Sequence, residues 1–184
     1  MSAVRQIKQA KKGNKEALLQ LILADKDAYY RLALTYMGNE HDAMDAMEEM
    51  IVLLYERIHQ LRNEDAFYSW SKTVLVNVCK ALLRKRQRLV LLEDLSEDAA
   101  DGPDAFRHSH TSDPYKISDQ QMHLQELLQQ LNEPQKEAIQ LRYFHDLDYA
   151  TIADAMEVPV GTVKSRIFQG LKKLRELYGG DADE

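Results

Sequence analysis

The stretch "EVPVGTVKSRIFQGLKKLRELY", Glu157 to Tyr178, decides the fold. Val163, Ile167, Leu171, Leu174 and Tyr178 recur at helical spacing, which predicts a helix with one buried face. The opposite face carries Thr162, Lys164, Ser165, Arg166, Phe168, Gln169, Lys172 and Lys173. Upstream, "DLDYATIADAME" reads as a shorter helix capped by Asp148. Its Ile152 and Ala153 point inward, Val158 plugs the turn, and Val163 and Ile167 face them, giving a helix-turn-helix.

In that motif the N-terminal residues of the second helix lie on base edges in the major groove. Here these are Gly161, Thr162, Lys164 and Ser165, with Phe168 and Gln169 one turn later. Gln can bond an adenine edge, Lys a guanine edge, Ser is adaptable, and Phe can touch a thymine methyl. Thr162 and Arg166 suit phosphates, which position a protein on DNA without reading sequence. Lys172 extends the same basic face.

Moving outward, the 184 residues are 45% hydrophobic and 29% charged, with only seven glycines and four prolines. No β-branched run alternates at period two, so the chain is expected to be all-α. It has no apolar run of about 18 residues, and its basic N-terminus lacks a signal-peptide core. The single Cys79 excludes an internal disulfide and fits a reducing compartment. A cytoplasmic location is therefore expected.

Charge is segregated. Residues 1–88 are net basic, whereas residues 89–119 carry eight acidic and only two basic side chains. The segment from Val90 to Asp119 is rich in Asp, Ser, Gly, Pro and His, and breaks the helical pattern. So long a structureless stretch is uncommon inside one compact domain. The expected organisation is two small helical domains, 1–88 and 118–178, joined by a flexible acidic linker at 89–117 and followed by an acidic tail at 179–184. An acidic linker between basic clusters is also expected to occupy them and restrain DNA binding in the free protein.

In the first domain Ala17, Leu18, Leu21 and Ile22 form a core stripe, and Leu32, Ala33 and Tyr36 another before a stop at Gly38–Asn39. Asp42 is expected to start the next helix, and a final helix spans Phe67 to Arg88. In the second domain Leu124, Leu127, Leu128 and Leu131 mark a first helix, and Asn132 caps the next, with Pro134 in its first turn.

The run from Leu131 to Leu177, with "PVGTVKSR" as its most specific part, resembles region 4 of bacterial sigma factors of the extracytoplasmic-function group, in the sigma-70 family. The resemblance implies recognition of the −35 promoter element by Gly161, Thr162, Lys164, Ser165, Arg166, Phe168, Gln169 and Lys172. Residues 10–58 resemble region 2, whose helix docks on the beta-prime clamp of core RNA polymerase. Asp42, Asp45, Glu48 and Glu49 fall on one acidic face there, although Met44, Glu48 and Ile51 depart from the usual Glu, Gln and Phe.

"FYSWSKTVLVNVCKALLRKRQR" is similar to the family's DNA-melting helix, with Ser71 and Ala81 in place of the usual Leu and Asp. Capturing an unstacked base by stacking and edge bonds can drive melting. The implied −10 residues are Asn77, Lys80, Arg84 and Lys85, with Arg62 and Asn63 from the preceding base-pocketing loop. Arg86 and Arg88 add phosphate contacts. Trp70 reads as a core residue packing Phe67 and Val74.

The implied partners are core RNA polymerase, promoter DNA and an anti-sigma factor, with no small-molecule substrate. No nucleophile, activated base or phosphate loop forms a catalytic constellation, so an enzyme is not expected. The histidines of "RHSH", Arg107 to His110, lack further ligands at suitable spacing, so neither metal nor cofactor is expected. The competing reading is a stand-alone helix-turn-helix regulator binding an operator without polymerase.

Overall fold

The computed structural model describes residues 3–94 and 119–180, and every regular element among them is helical. The chain divides into two compact units. The first contains α1 (Ala3–Lys11), α2 (Lys15–Ala24), α3 (Lys26–Met37), α4 (Glu40–Arg57) and α5 (Phe67–Asp94), with single 3-10 turns at Ile58–Gln60 and Glu64–Ala66. The second contains α6 (Asp119–Gln129), α7 (Glu133–Tyr143), α8 (Tyr149–Met156) and α9 (Val160–Gly180).

Short polar side chains start these helices by accepting otherwise unpaired backbone N–H groups. Asn14 accepts from Ala17 N at 3.1 Å, Asn132 from Gln135 N at 2.9 Å, and Asp148 from Thr151 N at 2.7 Å. Asn39, not Asp42, caps α4, accepting the Asp42 N–H at 2.9 Å. Gly38, at φ 76°, takes the left-handed turn that ends α3 and lets Asn39 do this.

In the first unit α3 packs against both α4 and α5, while α1 packs on α2. Their common core includes Leu18, Leu21, Ile22, Leu32, Met50, Leu54, Phe67, Leu75 and Val76. Tyr36 is half-buried, and Met37 instead completes the α3 stripe. Helix α5 continues past the expected end at Arg88, because the sequence holds no glycine or proline before Gly102. The added turn is not core: Leu89, Val90 and Leu91 are exposed.

The second unit packs α7 and α8 against α9 around Ile139, Leu141, Ile152, Ala155, Val163 and Ile167. A Cβ on Gly170 would sit 2.6 Å from Ile139 Cδ1, so this glycine permits the close approach of α7 and α9. Several expected core positions differ: Leu127, Leu171 and Leu174 are only half-buried. Leu124 is exposed on α6, and Tyr178 is 68% exposed because the last turns of α9 outrun the helices that bury Val163 and Ile167. The ring of Tyr178 lies tilted against that of His123, with centroids 6.4 Å apart.

Candidate nucleic-acid interface

The α8–α9 turn shows why α9 begins at Pro-Val-Gly. Glu157 adopts φ 55°, and Val158 N donates to Ala153 O at 3.0 Å, closing α8. Pro159, which has no N–H to satisfy, then supplies the carbonyl that starts α9, accepting from Thr162 N at 2.9 Å and Val163 N at 3.2 Å. Gly161, Lys164, Ser165, Phe168 and Gln169 are all exposed, with Phe168 at 70%. Thr162 and Arg166 are half-buried at the margins of this face. Gly161, Ser165, Phe168 and Lys172 share one face of α9 by their spacing, with Lys164 on one flank and Thr162, Arg166 and Gln169 toward the other.

Farther along α9 the basic residues have intrachain partners. Lys172 Nζ lies 3.9 Å from Glu176 Oε1, and both remain exposed. Lys173 donates to the carbonyl of Gln130 at the end of α6, a structural contact. The sequence reading missed Tyr149. Its ring centroid lies 5.7 Å from Lys164 Nζ and 5.2 Å from Arg142 Cζ.

On α5, Asn77, Lys80, Ala81, Arg84, Lys85 and Arg88 share one helical face by their spacing. Asn77, Arg84, Lys85 and Arg88 are exposed and Lys80 is half-buried. Ala81, Arg84, Lys85, Arg88 and Leu89 line a shallow depression of about 300 Å³. Arg86 does not belong to this face. Its Nη2 lies 2.8 Å from Asp42 Oδ2 on α4. Trp70 is likewise not a fully buried core residue; it is half-buried, its ring centroid 6.3 Å from that of Phe67.

The loop before α5 is held from α1. Lys11 Nζ lies 3.0 Å from Glu64 Oε1, and this bond lowers the Glu64 carboxyl below its ordinary range. Arg62 and Asn63 are exposed beside it. Asn63 spends its carbonyl oxygen on Asp65 N at 3.1 Å, which leaves the amide N–H groups as the donors it can offer outward.

The acidic face of α4 separates into two kinds of carboxylate. Asp42 receives the Asn39 side-chain amide at 2.6 Å, and that bond, helped by Arg86, holds its carboxyl below the ordinary value. Asp45 lies 3.7 Å from His41 Nε2, one turn earlier. Glu48 and Glu49 are exposed, interleaved with exposed Met44, Val52 and Tyr55.

The Sigma-70 region 2 family model matches residues 21–89, and the Sigma-70 region 4 model matches residues 121–174. The chain is 32% identical over 166 residues to the RNA polymerase sigma factor SigV of Bacillus subtilis, covering 90% of this chain and 93% of that protein. The chain belongs to the extracytoplasmic-function group of the sigma-70 family. It is also 30% identical over 167 residues to the ECF RNA polymerase sigma-E factor of Haemophilus influenzae, covering 89% and 88% of the two chains. The crystallised sigma factor RpoE of Bartonella quintana, solved with the anti-sigma factor NepR, shares the fold at TM-score 0.63 and 23% identity, covering 90% and 97%.

Against the family pattern, Ser71 has a structural account. It is fully buried and bonds Tyr29 Oη at 2.7 Å, so a polar pair replaces the usual leucine. Ala81 stands where the family pattern has a carboxylate, so the charged residues lining the depression, Arg84, Lys85 and Arg88, are all basic beside the apolar Ala81 and Leu89. Among the described residues, no group of three or more His, Cys, Asp or Glu is placed to hold a metal, and no helix is long and apolar enough to cross a membrane. His108, His110, residues 95–117 of the expected linker and residues 181–184 of the acidic tail lie outside the described residues, whereas 89–94 belong to α5 and 179–180 to α9.

Proposed function

We propose that this sigma factor docks on the beta-prime clamp of core RNA polymerase through the exposed face of α4, with Asp45, Glu48 and Glu49 making the contacts and Asp42 supporting them. The face of α5 that carries Asn77, Lys80, Arg84 and Lys85, together with Arg62 and Asn63, opens and holds the −10 element. Gly161, Thr162, Lys164, Ser165, Arg166, Phe168, Gln169 and Lys172 bind the −35 element. The chain contributes binding, polymerase contributes the chemistry, and the whole acts in the cytoplasm. By analogy with the relative solved with NepR, an anti-sigma protein is its antagonist.

The observation that carries this reading is the exposed Phe168 among Lys164, Ser165 and Gln169. Burying one large apolar side chain is worth about 1.5–3 kcal/mol, so the fold gains nothing by leaving this one in water. A thymine methyl in the major groove gives it an apolar contact within reach of base-edge donors and acceptors.

The decisive experiment adds the protein to core polymerase and sequences the genomic fragments retained as open complexes. A paired −35/−10 motif, enriched only when polymerase is present, is the expected result. A palindrome enriched by the protein alone would make it an operator-binding regulator and overturn the assignment of α4 and α5.

A further inference from the structure

Tyr149 stands at the first position of α8, where no groove contact is assigned to it. Two cations approach its ring. Arg142, from the last turn of α7, has its Cζ 5.2 Å from the centroid, and Lys164, from the first turns of α9, has its Nζ at 5.7 Å. Both distances lie within the roughly 6 Å over which an aromatic face attracts a cation.

The two cations are not equivalent. Arg142 is anchored, since its Nη1 donates to Leu147 O at 3.0 Å, and the Asp148 carboxyl beside it is held below its ordinary value chiefly by the Thr151 N–H, with the Arg142 charge a lesser contributor. Asp148 in turn caps α8 through Thr151 N, which fixes the backbone from which Tyr149 projects. Lys164 is exposed, and its ammonium lies 5.7 Å from the centroid of the Tyr149 ring. A free lysine head group is a flexible point charge that can settle on any nearby phosphate. One held on a ring has fewer positions to choose from, and the fixed charge of Arg142 at the same ring narrows them further.

We propose that Tyr149 is a positioning residue for Lys164: its ring holds the ammonium where it meets a base edge, and so sets base preference at one pair of the −35 element. This rests on the reading of α9 as the −35 helix. The phenol hydroxyl has no part in it, and neither does overall DNA affinity.

The test measures open-complex yield with core polymerase on a promoter library randomised across the −35 element, using full-length Lys164→Ala, Tyr149→Phe, Tyr149→Leu and the Tyr149→Leu/Lys164→Ala double variant. Lys164→Ala relaxes the preference at one pair. Tyr149→Leu relaxes the same pair by about two- to five-fold, the range of an exposed cation–π contact. Tyr149→Phe keeps the preference, and the double variant loses no more than Lys164→Ala alone. Thermal melting of Tyr149→Leu separates a local change from a damaged domain, and Tyr149→Phe stands as the conservative control. If Lys164→Ala changes one pair but Tyr149→Leu changes none, or all pairs evenly, the positioning role is wrong. Equal losses in Tyr149→Phe and Tyr149→Leu would make the hydroxyl a direct contact and also overturn it. No pair-specific effect of Lys164→Ala would overturn the base-edge role of Lys164 and the proposal with it, whereas the absence of any −35 preference in the unsubstituted protein would remove the reading of α9 on which the proposal stands.

Discussion

Tyr29 Oη lies 2.7 Å from Ser71 Oγ in the interior of the first unit, joining α3 to α5. The direction of the bond follows from proton counting. Ser71 has one hydroxyl hydrogen and gives it to Tyr68 O at 3.0 Å, so Tyr29 donates and Ser71 accepts. Restoring the family residue with Ser71→Leu leaves the Tyr29 hydroxyl buried without a partner and adds volume to a filled site. The expected cost is about 2–4 kcal/mol in urea unfolding. Ser71→Leu combined with Tyr29→Phe recovers at least about 1 kcal/mol of this, and strict additivity of the two changes would show the pair to be uncoupled.

The same interior gives the protein an alkaline limit. Burial pushes the Cys79 thiol from 9.0 up to about 12 and raises the Tyr29 phenol above its ordinary 10.0. Both groups therefore hold their protons longer in the folded chain than in the unfolded one. Their contribution is fully present below about pH 9 and drains as pH rises through 9, then 10, toward 12. Each can remove up to about 1.4 kcal/mol per pH unit while only the unfolded state ionises. The urea midpoint is expected to fall steadily above pH 9. Cys79→Ala flattens the fall between pH 9 and 10, and Tyr29→Phe flattens it only above 10.

Substitution tests the proposed division of the α4 carboxylates into structural and docking groups. Asp42→Ala loses the bond from Asn39 and the ion pair with Arg86, whose side chain is 60% exposed and therefore screened by water. A loss of about 0.5–1.5 kcal/mol is expected. Because the Asp42 carboxyl is lowered in the folded state, its contribution is present above about pH 4 and disappears on further acidification. Glu48→Gln with Glu49→Gln, by contrast, leaves the melting temperature within about 1 °C while weakening binding to core polymerase at low salt. A melting shift of several degrees would place those two glutamates in the fold instead of at the partner.

Local sequence patterns made most of this legible, and long-range partnerships did not. The α8–α9 motif could be read because Asp148, Ile152, Val163 and Ile167 lie close in sequence and their roles repeat with the helical period. Asn132 and Pro134 marked the start of α7 for the same reason. The Asp42–Arg86 pair spans α4 and α5, and no period in either helix announces it. Periodicity also says which residues share a face, but not how far a neighbour extends along it. That is why Tyr178 was expected in the core and stands in water. Trp70 was expected in the core against Phe67 and Val74, yet the cover over it is incomplete.

Ala81 offers a test of the α5 face by restoring a family residue. Ala81→Asp places a carboxylate one turn from Asn77 and Lys85, in the depression lined by Arg84 and Arg88. On the helix it adds an i, i+4 pair with Lys85 worth about 0.2–0.5 kcal/mol, so melting is unchanged or slightly higher. On DNA it cancels one phosphate contact, and the slope of log affinity against log salt falls by about 1. The measurement is open-complex stability as a function of salt. An unaltered slope would mean that single-stranded DNA does not run along this face.

Gly161 provides the most direct separation of fold from recognition. Nothing lies within 4 Å of where its Cβ would sit, and its backbone is helical, so the fold itself has no need of glycine there. In a helix, glycine costs about 0.5–1 kcal/mol relative to alanine, partly through the freedom it gives the unfolded chain. Gly161→Ala is therefore expected to raise the melting temperature of the second unit. The same methyl group points from the first turn of α9, where the backbone must approach the groove most closely. The polymerase-bound protein should then select −35 sequences about three- to ten-fold less strongly, a loss of roughly 0.7–1.4 kcal/mol in discrimination. Higher stability with lower −35 selectivity is the signature of a residue kept for DNA. Higher stability with unchanged selectivity would show that the helix meets the groove farther along, at Ser165 and Phe168, and that Gly161 stays clear of it.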